Sequence, residues 1–183
     1  MLLGLDISTS CVGFCILDQD GSIMGIDAID LKKVKPVFEK AECVSAVFEK
    51  IKNEFDISYI FIEENLQAFR PGFSSAKTLV TLARFNGIVS YIAAKVFELT
   101  PDFVNVNAAR KMVGLKILRQ KKCGISTKDQ VLNWVKKNHS DLLWPTKTLK
   151  SGPNKGVEVL KPSCYDMADA LVIAFAGKII MNI

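Results

Sequence analysis

The sequence predicts an α/β fold: a five-stranded mixed sheet, made of an antiparallel meander followed by parallel strands, with helices on its faces. Short apolar runs typical of strands open the chain. Runs with helical spacing then alternate with further strand-like runs, an order that implies parallel pairing through crossover connections. The chain has 183 residues, of which 49% are hydrophobic, enough for one compact domain with its own core.

The first part of the chain predicts three strands and a helix. The runs LLGLDIS and CVGFCILD are apolar, and the turn signal Asp20-Gly21 separates the second from a third run, SIMGIDAI. We expect these strands to pair as the antiparallel meander. Apolar residues then recur at helical spacing from about Pro36 to Phe55, with Pro36 suited to the first turn.

The middle of the chain predicts two strand–helix units. The run SYIFIEEN is typical of a buried strand that ends in carboxylates. Helical spacing follows from about Ser74 to Glu98, Pro101 ends it, and FVNVN predicts a short strand. Strands that are separated by helices in this way pair in parallel.

The last part of the chain predicts basic elements and an apolar final helix. We expect a short basic helix, a lysine-rich loop at Arg119–Cys123, a helix that begins near Ser126, and a final helix from about Ser163. Residues 142–162 interrupt the pattern with three prolines, two glycines and four lysines. They predict a basic insertion, a hairpin or a mobile loop, within a single domain formed by residues 1–183.

Charge is unevenly distributed along the chain. Residues 110–161 hold 13 of the 24 lysines and arginines but three acids, a balance of +10, whereas the other residues hold 11 basic and 16 acidic side chains, a balance of −5. A basic region and an acidic region in one domain favour a polyanionic partner held near an acidic site. A basic surface that contacts only solvent is the alternative.

Cysteine usage and hydropathy bear on location. Five cysteines without paired spacing indicate free thiols in a reducing compartment. Cys11 and Cys15 would lie about 13 Å apart on a strand, too far to bind one ion, so we expect core residues. His139 is expected at a helix end.

The apolar stretch 170–180 is too short to span a membrane, and no signal peptide is recognisable. We expect no membrane partner and no secretion, but a cytoplasmic or other reducing, DNA-containing compartment.

Carboxylates occur where solvated acids are uncommon. Asp6 ends an apolar strand, and Glu63 and Glu64 end another. Asp166 and Asp169 begin an otherwise apolar helix, three residues apart and therefore on one face. Unpaired acids at the edge of a core are costly, and divalent cations, which prefer oxygen ligands, would offset that cost. Acids from these elements can meet around two metal ions about 4 Å apart, which would help to hydrolyse a phosphodiester.

Each acid also has an ordinary structural interpretation. Asp6 can start a turn by bonding to its own backbone, and either glutamate can face solvent at a sheet edge. Asp166 can complete a capping box opened by Ser163. Asp169 is the hardest to explain in this way, because it lies in the second turn among apolar neighbours.

Four segments resemble the RuvC family of Holliday junction resolvases. LLGLDISTSCVGFCILD is similar to the family's first strand, metal-binding aspartate, turn and second strand, and IFIEENLQAF is similar to its second motif. GISTKDQVLNWV resembles the basic stretch before the family's third helix, and YDMADALVIAFAGK resembles its terminal helix motif. The likeness covers most of the chain, and the order of the acids agrees.

The resemblance implies a ribonuclease-H-like fold and a homodimeric, metal-dependent endonuclease that resolves four-way DNA junctions by paired nicks. Two magnesium ions, or manganese in their place, would be the cofactors. The implied metal ligands and catalytic carboxylates are Asp6, Glu63, Asp166 and Asp169. Lys128 matches a basic catalytic position, and Lys111 loosely matches another. Glu63 is preferred to Glu64 because neighbours on a strand point to opposite faces.

Basic and aromatic side chains are candidate DNA contacts, because phosphates need lysine or arginine and exposed bases stack on aromatic rings. The basic candidates are Arg110, Lys111, Lys116, Arg119, Lys121 and Lys122. Phe69 and Phe73 are expected to reach the junction centre; the alternative is that both rings anchor a loop on the core. The helix at 74–98 is expected to share its apolar surface between the core and a second subunit.

Three other functions are compatible with parts of this pattern. A nuclease of the same fold that acts on flaps, other branched DNA or RNA–DNA hybrids would use the same metal chemistry. An ATP-binding domain of the actin type typically needs a phosphate-cradling glycine-rich hairpin and a duplicated domain, and the second half of this chain does not duplicate the first. A DNA-binding scaffold without activity would not need all four acids.

Overall fold

Five strands form one mixed sheet in the computed structural model, which describes residues 1–64 and 76–182. The strands are β1 (Leu2–Ile7), β2 (Cys11–Leu17), β3 (Ile23–Asp30), β4 (Tyr59–Glu63) and β5 (Asp102–Val104). Their order across the sheet is β3-β2-β1-β4-β5. The first three pair antiparallel, whereas β4 pairs parallel with both β1 and β5. The predicted meander followed by parallel strands is therefore confirmed.

Helices cover both faces of this sheet. They are α1 (Val37–Glu54), α2 (Ala76–Phe97), α3 (Val106–Met112), α4 (Gln120–Cys123), α5 (Thr127–Asn138) and α6 (Ser163–Met181). On one face, α1 and α2 pack over Leu3 and Leu5 of β1. On the other face, α3, α5 and α6 pack in the core cluster that includes Leu2. Because side chains alternate along a strand, Leu2, Gly4 and Asp6 all point toward α6.

Helix α6 lies unusually close to the sheet, and two glycines make this possible. A Cβ added to Gly4 would lie 2.6 Å from the backbone nitrogen of Ala174. A Cβ added to Gly13 of β2 would lie 2.1 Å from the carbonyl oxygen of Asp166. Most of α6 is buried, which explains why its sequence is apolar on nearly every side.

Several boundaries differ from the sequence-based expectations. Pro36 is the N-cap of α1 rather than a first-turn residue. The expected strand FVNVN stops at Val104, because the side chain of Asn105 caps α3 by accepting from the amides of Asn107 and Ala108. The expected lysine-rich loop contains the short helix α4.

The predicted insertion forms a β-hairpin. Its arms are β6 (Thr146–Thr148) and β7 (Glu158–Leu160), which pair antiparallel in a separate two-stranded sheet. The base of the hairpin is tied together by the amide of Lys161, which donates to the carbonyl of Pro145 at 2.8 Å. The hairpin leads directly into α6.

The cysteine and histidine interpretations agree with the structure. Cys11 and Cys15 are buried and free, as expected for core residues. His139 is the C-cap of α5, and its ring stacks on Phe175 with 5.1 Å between ring centroids. Helix α2 is the one described helix that is long and apolar enough to cross a membrane, a property that core helices share.

We predict that Gly4→Ala destabilises the protein by roughly 1–3 kcal/mol, because the new methyl group overlaps the backbone of α6. Gly25→Ala is the matched control, since a Cβ there meets Ile16 at an ordinary 3.5 Å. Chemical denaturation of both variants gives the two free energies of unfolding. Equal stability of the two variants would contradict the close approach of α6 to β1.

Candidate active site

The predicted carboxylates meet at the edge of the sheet where β1 and β4 end. Asp6 is the last polar residue of β1 and pairs in register with Gly13, against which the first turn of α6 is packed. Glu63 ends β4 two residues after Phe61, whose ring lies against Gly177 of α6. Since residues two apart on a strand share a face, Asp6 and Glu63 both face α6.

Helix α6 contributes the other two acids. Asp166 lies in its first turn and Asp169 in its second, so both project from one face of a helix that is anchored in the core. Asp169 is buried, with 7% of its surface exposed. Pro162, and not Ser163, is the N-cap of α6, and no side chain caps it, so Asp166 is not part of a capping box.

These side chains line one cavity of about 600 Å³. Its lining residues are Asp6, Ile7, Ser8, Glu63, Glu64, Leu82, Arg110, Thr127, Lys128, Asp166 and Asp169. All four acids predicted as metal ligands and the predicted catalytic lysine therefore surround one space. The turn after β1 is held by Ser8, whose hydroxyl accepts from the amide of Cys11 at 3.1 Å.

Glu64 also lines this cavity, which the sequence argument did not expect. The expectation that only one of the two glutamates faces the site assumed that both belong to the strand. Strand β4 ends at Glu63, so the alternation of faces does not extend to Glu64. The amide of Glu64 donates to the carbonyl of Val104 at 2.9 Å, which holds this residue at the end of β5.

Burial and mutual repulsion shape the ionisation of the acids. Burial, reinforced by the negative charges of Glu63, Asp169 and Asp166, raises the pKa of Asp6 well above its usual value. Burial and the charge of Asp169 raise the pKa of Glu63 to about 7. Burial also raises the pKa of Asp169, against the opposing effect of Arg110. The negative charges of the ionised acids are thus not fully balanced by positive charge nearby.

Two basic side chains face these acids. The guanidinium Nη2 of Arg110 donates to Oδ1 of Asp169 at 3.0 Å, and both side chains are largely buried. Lys128, near the start of α5, lowers the pKa of Asp6, Glu63 and Asp169 as a secondary influence. Arg110 was predicted as a DNA contact, but the structure places its side chain inside the domain, 14% exposed.

Lys128 is held by the packing of α5 against α6. Its Nζ lies 5.9 Å from the centroid of the Tyr165 ring. The hydroxyl of Tyr165 donates to Asp129 at 2.7 Å, and Ser126 caps α5 by accepting from the amide of Asp129 at 3.1 Å. The sequence analysis did not predict a role for Tyr165. Its position directly before Asp166 is the sequence signal that could have indicated one.

The donor set fits a hard divalent cation, because carboxylate oxygens are its preferred ligands and the four predicted carboxylates line one cavity. Within the described part of the chain, however, no three acidic, histidine or cysteine side chains are grouped closely enough to hold an ion as they stand. Arg110 supplies one positive charge to this cavity.

The remaining basic side chains predicted as DNA contacts line a neighbouring depression or lie at α4. Lys111 and Lys116 line a depression that shares Arg110 with the acidic cavity. Arg119, Lys121 and Lys122 are exposed at α4. Phe69 and Phe73 lie outside the described residues. Lys111 and Lys116 thus form an exposed basic surface beside the cavity.

Similarity to known proteins appears at the level of structure. No protein-family model and no curated protein sequence matches the chain. Thermus thermophilus RuvC in complex with a Holliday junction substrate superposes with a TM-score of 0.65 at 15% identity, covering 99% of this chain and 94% of that chain. Another Thermus thermophilus RuvC structure gives 0.60 at 17% identity, covering 99% and 95%.

A third solved structure extends this likeness. The yeast mitochondrial Holliday junction resolvase Ydc2 superposes with a TM-score of 0.53 at 12% identity, covering 97% of this chain and 77% of that chain. The chain therefore has the ribonuclease-H-like fold of these resolvases, and the resemblance to RuvC stated from the sequence motifs is confirmed in three dimensions.

We predict that ionisation of Glu63 destabilises the metal-free protein. Its pKa is raised from 4.5 to about 7 on folding. The protonated Glu63 therefore contributes its full share to the free energy of unfolding below about pH 4.5, and this contribution is lost as the pH rises through about 7. Glu63→Gln removes this loss. Urea unfolding in a chelating buffer across this window should give a shallower pH slope for the variant than for the wild type.

Glu49→Gln is the control for this measurement, because it removes an exposed carboxylate of α1 far from the cavity. Its pH slope should follow that of the wild type. Parallel slopes for the wild type and Glu63→Gln would show that Glu63 is not buried among acids as described.

Proposed function

We propose that this protein is a structure-selective DNA endonuclease that resolves four-way (Holliday) junctions by metal-dependent phosphodiester hydrolysis, with paired nicks made by a homodimer. The observation that carries the proposal is the cavity where Asp6, Glu63, Asp166 and Asp169 meet beside Lys128. This cavity lies in a fold shared with Holliday junction resolvases, one of which was solved with its junction substrate.

The four carboxylates are the proposed ligands of two Mg²⁺ ions, with Mn²⁺ as a substitute. When bound, such ions supply activation of a water and stabilisation of the leaving oxygen of the phosphodiester. The protein's part is to hold the acids on rigid elements: two strand ends and the anchored first turns of α6. Rigid placement reduces the reorganisation that the reaction would otherwise require.

Lys128 has a separate proposed role. A phosphodiester gains negative charge as it is attacked, and an ammonium group at the cavity wall stabilises that charge. The side chain is exposed toward the cavity, and α5 is fixed to α6 through Tyr165 and Asp129. Lys128 is therefore available to a substrate phosphate, whereas Arg110 is already paired with Asp169.

The exposed basic surface beside the cavity is the proposed path of a DNA arm. Lys111 and Lys116 line the depression that adjoins the acidic cavity, and the lysines of α4 lie nearby in sequence. Phosphate contacts of this kind give affinity without sequence preference. Such a path would lead the DNA backbone from a basic surface into the acidic cavity. Bound cations would be needed there to offset the repulsion between the carboxylates and the phosphates.

A second copy of this chain is the proposed partner at α2. Paired nicks require two active sites, and a homodimer supplies them. What supports this surface is the exposed apolar character of α2: Val80 is 58% and Tyr91 63% exposed. These residues lie on one side of the helix, because a spacing of eleven residues is close to three full turns. The buried side of the same helix packs with α1.

The free cysteines support a further part of the proposal, a location in the cytoplasm or in another reducing compartment that contains DNA.

The first test of the function is cleavage of a labelled four-way junction in Mg²⁺, with linear duplex and flap DNA as competing substrates. We expect symmetric nicks on the junction, and a rate that falls by more than about 10²-fold in Asp6→Asn because charge stabilisation is lost. Asp56→Asn is the matched control, since Asp56 is exposed before β4, at the end of that strand opposite Glu63. Preferential cutting of flaps or hybrids would change the proposed substrate from junctions to those molecules. No cutting in Mg²⁺ or Mn²⁺ would overturn the proposal.

The dimer is tested by sedimentation velocity at micromolar concentration. The wild type should sediment as a dimer, and the double variant V80E/Y91E should raise the dissociation constant by at least about tenfold, because it buries two charges. Phe38→Glu changes an even more exposed apolar residue on α1 and should leave the dimer intact. A monomeric wild type, or a double variant that dimerises normally, would exclude α2 as the interface.

A further inference from the structure

The ion pair between Arg110 and Asp169 stands out because it lies inside the proposed metal site. Both side chains are largely buried, 14% and 9% exposed, and one contact at 3.0 Å joins them. The Nε atom of Arg110 is buried and has no hydrogen-bond partner among residues 1–64 and 76–182. The guanidinium is therefore held in the cavity by attraction to the acids more than by a complete set of hydrogen bonds.

The position of Arg110 is determined by how α3 is anchored. Asn105 caps this helix directly after β5, and Ala109 is fully buried in the core beneath α6. The side chain that follows Ala109 is thereby directed toward α6 and the cavity. A guanidinium cannot lose its proton at accessible pH, so Arg110 brings a permanent positive charge to this place.

This charge acts on more than one acid. Arg110 lines the same cavity as Asp169 and Glu63, so its charge lies beside two of the four proposed ligands. Lys128, which extends from α5, also lines this cavity. A buried carboxylate without a compensating charge is strongly unfavourable, and removal of Arg110 would leave Asp169 in that state.

We infer that Arg110 is an internal counter-ion that competes with divalent cations for Asp169: it neutralises this carboxylate in the metal-free protein and weakens metal binding by the same interaction. The inference rests on the metal dependence in the proposed function. It differs from a role in orienting a ligand, because an orienting residue would strengthen metal binding. It also differs from a DNA contact, because the guanidinium is already paired with Asp169 and is 14% exposed.

Competition makes two measurable quantities move in opposite directions when Arg110 is replaced. Without the guanidinium, the metal-free protein loses stability, because Asp169 is left buried and unpaired. A divalent cation then no longer has to displace a competitor, so its apparent affinity increases. Since a ligand that binds the folded state stabilises it according to its affinity, the increase in melting temperature caused by metal becomes larger.

The experiment compares the wild type with Arg110→Met by thermal unfolding in EDTA and across a titration with MgCl₂, and by calorimetric titration with MnCl₂. No DNA is present. We expect a lower melting temperature in EDTA and an apparent metal dissociation constant that falls by at least about fivefold, the lower range of couplings between sites. Lys50→Met is the matched control: it removes one positive charge from an exposed position of α1, which packs on the other face of the sheet, and should change neither quantity.

A double variant covers the case in which Arg110→Met does not fold in EDTA. R110M/D169N removes both charges, so it should recover much of the melting temperature lost by R110M alone. Its recovery supports mutual neutralisation, whereas a double variant as unstable as R110M would show that Arg110 acts through packing and would overturn the inference.

The outcomes separate this inference from the proposed function. Metal that stabilises the wild type but binds R110M no more tightly overturns the inference and leaves the nuclease proposal intact. A wild type that Mg²⁺ and Mn²⁺ do not stabilise overturns the inference together with the proposed metal dependence. Junction cleavage, measured separately, decides the substrate in either case.

Discussion

The close packing of α6 on the sheet is the constraint on which the candidate site depends. Gly4 and Gly13 leave no side chain between the strands and the helix, so the backbone of α6 lies against β1 and β2. The same contact brings the first turn of α6 next to the register position of Asp6. A larger residue at either glycine would move Asp166 and Asp169 away from the strand ends. The geometry of the acids is thus a consequence of backbone packing.

This packing has an electrostatic cost that the rest of the site addresses. Asp6, Glu63 and Asp169 all show raised pKa values, chiefly because they are buried. A fold concerned only with stability would replace such acids by apolar side chains. Arg110 and Lys128 offset part of the cost, the first by a direct ion pair and the second at longer range. The remaining deficit of positive charge supports the proposal that divalent cations bind in this cavity.

The sequence predicted the larger features because each has a local signal. The mixed sheet, a meander followed by parallel strands, was predicted from apolar runs, the Asp20-Gly21 turn and the alternation with helices. The prolines and glycines of residues 142–162 predicted a hairpin or a mobile loop, and the structure has a hairpin there. Details that depend on capping were missed: Asn105 ends β5 early, and Pro36 precedes α1 instead of beginning it. Such boundaries depend on single hydrogen bonds, which composition and periodicity do not resolve.

By itself, the sequence determined which acids are candidates, since their apolar neighbours in strands and in a core helix set them apart from solvated acids. It also located the basic region. Only the tertiary structure decided which charges meet. Arg110 and Asp169 are 59 positions apart and form a buried ion pair, and Glu64 joins the cavity because β4 ends one residue before it. Pairing of this kind depends on how α3 and α6 pack across the sheet, and local sequence carries no record of long-range distance.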